Sequence, residues 1–263
     1  TDDRPYFFHF FKWRILPEVL SLQGRGGMPL LEQGYLISVA TLLQAVLASL
    51  LLIILPLIFL RRGERPTQKS VRRRSVLIYF FAIGLAFLFV EIAFIQKLTL
   101  LLHHPLYSAA TVMTGFLIFA GLGSCLSQRA SAQGRARSAM VMAIAGIAIL
   151  SLSYLLLFKN LPDVLLSLPL VAKMVIALLL IAPLGMLMGM PFPLALGSLG
   201  EHAQQMIPWA WGINGCASVI SAILASLLAI HSGFSMVIAL AVALYLLAAL
   251  HFPHPVDLQE SSG

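Results

Sequence analysis

Charge is what this sequence has least of. Of its 263 residues only 10% are charged and 60% are hydrophobic, against roughly 25% and 45–50% in an ordinary soluble domain. One water-soluble core cannot hide so much apolar side chain, so the bilayer is read as the solvent. Cysteine is scarce as well. Cys125 and Cys216 both fall inside apolar runs, which leaves a disulfide framework or a CxxC metal site without support. A P-loop, a glycine-rich dinucleotide turn, an HExxH and a Ser/His/Asp grouping are all missing. No catalytic residue, cofactor or metal is therefore assigned. No run alternates with a period of two, as a membrane barrel would require. The polar opening Thr1-Asp2-Asp3-Arg4-Pro5 lacks the basic and apolar regions of a signal peptide, and the chain is read as the downstream part of a longer one.

What is present is a series of apolar runs, each long enough for the about 20 residues that a hydrocarbon core requires. The expected fold is an all-α integral membrane protein, a bundle of about seven transmembrane helices with a short N-terminal interfacial segment. The spans are read at 34–60, 75–98, 106–127, 138–158, 164–190, 208–230 and 233–252. The bundle thus occupies 34–252, between an extracytoplasmic or interfacial aromatic segment, 1–33, and a polar tail, 253–263. In the first segment Tyr6, Phe7, Phe8, Phe10, Phe11 and Trp13 alternate with Arg4, His9, Lys12 and Arg14. Such a mixture suits the headgroup layer, or the aromatic end of a soluble domain.

The net charge of +7 is read as a topology signal rather than as a nucleic-acid surface. The linker 61–74 carries Arg61, Arg62, Arg65, Lys69, Arg72, Arg73 and Arg74 against Glu64 alone, and the linker after the third span carries Arg129, Arg135 and Arg137. Positive charge between spans marks the cytoplasmic side. Residues 1–33, 103–105 and 159–163 then face outward, and a cytoplasmic membrane is the expected location.

Close helix packing in lipid depends on small residues. Gly185 and Gly189 form a GxxxG, and Ala217, Ser221 and Ala225 form a ladder in the sixth span, which is expected to be central. These faces pack helices within the chain or dock it onto other membrane subunits. The intramembrane polar residues are Glu91, Gln96, Lys173 and Asn214. Glu91 needs a partner in a medium that penalises charge, and Lys173, about ten residues into a span beginning at 164, is expected at the same depth. The pair is either structural or part of a proton- or cation-coupled site. His103, His104 and Tyr107 form an outer turn. Two histidines fall short of the three or four convergent ligands a metal needs, so the turn is read as interfacial. The run Gly189-Met190-Pro191-Phe192-Pro193 ends or breaks the fifth helix, with a simple terminus preferred. Trp209 and Trp211 suit an interface.

Four stretches then carry a family resemblance: Thr1-Asp2-Asp3-Arg4-Pro5-Tyr6-Phe7, Glu91 through Ile95-Gln96-Lys97 to His104-Pro105-Leu106-Tyr107-Ser108, Gly189-Met190-Pro191-Phe192-Pro193, and Pro208-Trp209-Ala210-Trp211-Gly212-Ile213-Asn214-Gly215. Together they resemble the C-terminal membrane portion of bacterial fused proteins that join a spermidine-synthase-like domain to helices of the major-facilitator type. The resemblance implies a non-enzymatic membrane domain that anchors its neighbour and forms part of a path for a small cation such as a polyamine. Two alternatives are a scaffold subunit of a larger membrane complex and a membrane enzyme associated with polyamine aminopropyl transfer. The nucleotide-binding and acidic residues of the soluble neighbour lie outside these residues, so the resemblance assigns no catalytic side chain. Seven spans also depart from the six of half a major-facilitator bundle.

Overall fold

The computed structural model describes residues 30–51, 55, 71–165 and 168–253. The readings made for residues 1–29, including His9, for 56–70 of the basic linker and for 254–263 fall outside the described residues. Among those described, every element is helical. In chain order they are α1 (Leu30–Ser49), α2 (Arg73–Leu102), α3 (Pro105–Ala132), α4 (Ala136–Leu165), α5 (Leu170–Met188), α6 (Pro191–His202), a 3-10 turn (Gln204–Met206), α7 (Ile207–Ser232) and α8 (Phe234–Leu250). Counting α5 and α6 as one bent rod, five rods are long and apolar enough to cross a membrane, and α1 and α8 are shorter apolar helices.

Local chemistry sets the boundaries. His103 adopts the left-handed conformation at φ 55° and its N–H caps Thr99, after which Pro105 opens α3. Proline suits that position because its missing N–H has no partner in a first helical turn anyway. Gly134 at φ 66° and Gly233 at φ 88° make the next tight reversals, conformations that a Cβ disfavours. These short turns hold neighbouring rods antiparallel. Arg72, Arg73, Arg74, Arg129, Arg135 and Arg137 consequently gather at one end of the bundle, and His103, His104 and Gly233 at the other.

The expected central helix was the sixth span, now α7, and that expectation is corrected. The most enclosed apolar window belongs to α2, 61% buried against 33% for the rod containing α7. Helix α2 packs against α7, α8, α3 and α5, and its run from Ala82 to Ala86 is buried without interruption. A helix apolar on all sides belongs inside such a bundle. The small residues of α7 mark where it approaches α2, not where the centre lies. Helix α1 stands to one side, packed on α7 through Leu36, Val39 and Leu42 around Leu227. The remaining six rods share one continuous core.

Two interfaces are close enough to involve backbone. A Cβ placed on Gly123 of α3 would stand 2.7 Å from the Met186 carbonyl carbon of α5, and one on Gly189 would stand 2.6 Å from Ala120 Cα. Gly185 faces the same helix, 3.0 Å from Phe119 Cβ by that measure. Gly84 of α2 is similarly tight against Asn214 and Ala217 of α7. The Ala217, Ser221 and Ala225 ladder is buried, and Ser221 Oγ donates to the Leu85 carbonyl at 2.8 Å.

Candidate functional site

The α5–α6 rod carries Pro183 within α5 and is then interrupted between α5 and α6. Gly189 N–H still bonds Gly185 O at 3.0 Å, and Met190 N–H bonds Leu187 O at 3.2 Å in a tightened turn. Pro191 and Pro193 then supply no N–H, so the ladder lapses for the carbonyls they would have met. The chain nevertheless resumes as a twelve-residue helix, Pro191–His202. The preference for a simple terminus is corrected on this point. Both Gly189 and Met190 keep right-handed helical angles, so the rod bends and continues. Tyr79 secures the bend from α2 by donating from its hydroxyl to Pro191 O at 2.8 Å.

Beside that bend lies a half-open cavity of about 390 Å³ bordered by α2, α3, α7, α8 and the α5–α6 junction. Its size is within the roughly 300–1,000 Å³ usual for small-molecule sites. Phe87, Leu88 and Phe192 give it apolar walls, and Ser124, Asn214 and Tyr245 bring polar atoms. Asn214 is half-buried and donates from Nδ2 to Phe80 O at 3.1 Å. Its backbone carbonyl accepts from Ser218 Oγ at 3.0 Å. Tyr245 is only 1% exposed, and its hydroxyl has no hydrogen-bond partner among the described residues. Tyr245 thus borders the cavity without a hydrogen bond of its own among the described residues. Thr111 and Ser151 bury unpartnered hydroxyls, but neither borders this space.

Glu91 belongs to the same stripe of α2. Gly84, Phe87 and Leu88 line the cavity, and Glu91 follows Leu88 by three residues, one helical turn further from the basic end. Helical side chains lean toward the helix N-terminus, which for α2 is the direction of the cavity. Glu91 is 9% exposed and Lys173 6%. Among the described residues no ion pair or hydrogen bond joins them, and the Glu91 carboxylate has no other side-chain partner. The expected common depth is corrected by the start of α5 at Leu170 rather than 164. Lys173 therefore lies about 5 Å from the start of α5 and Glu91 about 16 Å from the end of α2 remote from the arginines, at ~1.5 Å per residue.

The other sequence-derived positions sit apart. Gln96 is half-buried further along α2. His103, His104 and Tyr107 are exposed at the α2–α3 turn, where the His104 and Tyr107 rings lie 4.8 Å apart. No group of three or more His, Cys, Asp or Glu side chains converges among the described residues. The two tryptophans divide: Trp209 is buried with Arg73 4.5 Å from its ring centroid, and Trp211 is 59% exposed against Phe192. Sequence reasoning did not single out Tyr245, Ser124 or Gly84. Tyr245 lies in an apolar run that gives no sign of a free hydroxyl, and only Gly84, small and seven residues before Glu91, left a trace of a shared face. Comparison of the chain with family models, with curated proteins and with solved structures finds no match.

Proposed function

We propose that this chain is a multi-pass domain of the bacterial inner membrane that binds and passes a small organic cation beside Glu91. In this reading it is the membrane portion of a spermidine-synthase-like fused protein, anchors the soluble neighbour, and keeps its basic end toward the cytoplasm. A polyamine is the cation that the resemblance suggests.

The observation that carries the reading is Glu91: an acidic side chain within the most enclosed helix, without an ion partner among the described residues, one turn from a cavity. Ionisable groups at such depth are disfavoured unless a pathway or a counter-charge uses them. The bent α5–α6 rod adds support, because broken helices at a binding cavity are a recurring device of transporters. Two of the stretches that carry the resemblance, Gly189 to Pro193 and Pro208 to Gly215, contribute to the cavity through Phe192 and Asn214. A six-rod core with α1 at its side is also in keeping with half of a major-facilitator bundle. Of the two small-residue ladders on α7, Ala217, Ser221 and Ala225 are turned against α2 within the same chain, while Ser218, Ala222 and Ser226 are half-buried and are the face left to the scaffold alternative.

Purified protein reconstituted in liposomes tests the proposal through flux of labelled spermidine or putrescine and of a labelled monoamine. Flux of at least one cation that falls to background in Glu91→Gln, with the variant still monodisperse, is the expected result. Flux that is unchanged by the substitution, or absent for every cation in the unmodified protein, refutes it.

A further inference from the structure

Resting on the reading of Glu91 as a cation site, we infer that the cavity is built for a singly charged, amphipathic organic cation rather than for a polycation. The ammonium pairs with Glu91, an aromatic or hydrocarbon body lies between Phe87 and Phe192, and a hydrogen-bonding group at the far end meets Tyr245.

Three observations carry this. The charge available is single: Glu91 is the acidic residue next to the cavity on α2, and no lining residue is charged. A second or third ammonium in the same space would lose its water and gain no anionic partner, which is strongly unfavourable. The walls suit an apolar body, and aromatic faces also favour a nearby cation. Tyr245 borders the cavity, is almost wholly buried and makes no hydrogen bond among the described residues, so its hydroxyl is the group that a ligand's polar end would meet. Asn214 borders the same space. From Gly84 to Glu91 the α2 stripe advances about 10 Å at ~1.5 Å per residue. A two-ended ligand of that length would span it.

Tyramine is a suitable probe, with an ammonium at one end of an aromatic body and a hydroxyl at the other. Its comparators are phenylethylamine, which lacks the hydroxyl, tyrosol, which is its uncharged counterpart, and spermidine. Calorimetric titration of the full chain in nanodiscs compares the four on unmodified protein, so the ranking does not depend on a variant folding. Tyramine is expected to bind at least about tenfold more tightly than tyrosol and spermidine, and Glu91→Gln to remove its advantage over tyrosol. Phenylethylamine is expected to bind about threefold to tenfold more weakly than tyramine, a gap that Tyr245→Phe should close, in line with one neutral hydrogen bond. If spermidine binds more tightly than tyramine and depends on Glu91, the inference of a single charge falls and the cation reading stands. If tyrosol matches tyramine and neither responds to Glu91→Gln, both fall. Absence of binding by all four also overturns both.

Discussion

Replacing Gly123 by alanine should destabilise the bundle, and the structure contains its own control two residues away. A Cβ on Gly123 would stand 2.7 Å from the Met186 carbonyl carbon and 3.0 Å from Met186 Cα, whereas one on Gly121 would meet nothing within 4 Å. Both glycines lie within α3, so both substitutions gain the same helix propensity, up to about 1 kcal/mol. The difference between them isolates the clash. Overpacking generally costs about 1–3 kcal/mol. The upper part of that range applies here, because the obstacle is main chain, which cannot change rotamer and can yield only by moving α5 away. Gly121→Ala should then be neutral or slightly stabilising, with Gly123→Ala about 2–3 kcal/mol less stable than it. Gly189→Ala, acting on the same crossing from α5 against Ala120, should be destabilised comparably. Denaturant titration of purified protein in mixed micelles, followed by circular dichroism, measures all three. Equal midpoints for Gly121→Ala and Gly123→Ala would refute the backbone-to-backbone crossing.

Three further outcomes follow from the geometry. Glu91→Gln and Lys173→Met should act independently, with a coupling energy below about 0.5 kcal/mol in a double-mutant cycle; a coupling of several kcal/mol would mean that the two charges meet after all. Ser221→Ala removes the bond to Leu85 O and Tyr79→Phe the bond to Pro191 O, each expected to lower stability by about 0.5–1.5 kcal/mol or more where the carbonyl is left bare, read in the same titration. With Cys125 and Cys216 replaced by serine, a cysteine at His104 should react with an impermeant maleimide in intact cells and one at Gln133 should not, and the reverse pattern would invert the proposed orientation.

The extent of the helices was legible because each apolar run is closed by residues that resist helix or reverse the chain. Pro105 falls at a turn in both readings, Gly134 lies between the read spans 106–127 and 138–158 and is a turn in the structure, and the read spans 75–98 and 208–230 lie inside Arg73–Leu102 and Ile207–Ser232. Gly185 and Gly189 were recognised as packing residues, and they do face α3. The order of layers was not legible. Small residues report close approach between two helices, but enclosure depends on how many neighbours a helix has, which no local pattern encodes. For the same reason Glu91 was recognisable as unusual and its surroundings were not. Its match with Lys173 assumed a span starting at 164, and a shift of six residues to Leu170 moves the lysine by about 9 Å. Tyr245 illustrates a second gap. In sequence it is one aromatic among leucines and alanines, and its significance arises only from what its hydroxyl fails to touch.

The tight crossing of α3 and α5 has a mechanical meaning because of where it stands. Gly189, one of the two residues that let the backbones meet, lies two residues before α6 begins at Pro191. Upstream, α5 is pinned to its neighbour; downstream, two prolines have removed hydrogen bonds that would have stiffened the joint. The crossing is thus a fulcrum. Sliding α5 along α3 would drive glycine-sized gaps onto larger side chains, whereas swinging α6 about the joint leaves the crossing undisturbed. The Tyr79 hydroxyl on Pro191 O ties the root of that short arm back to α2.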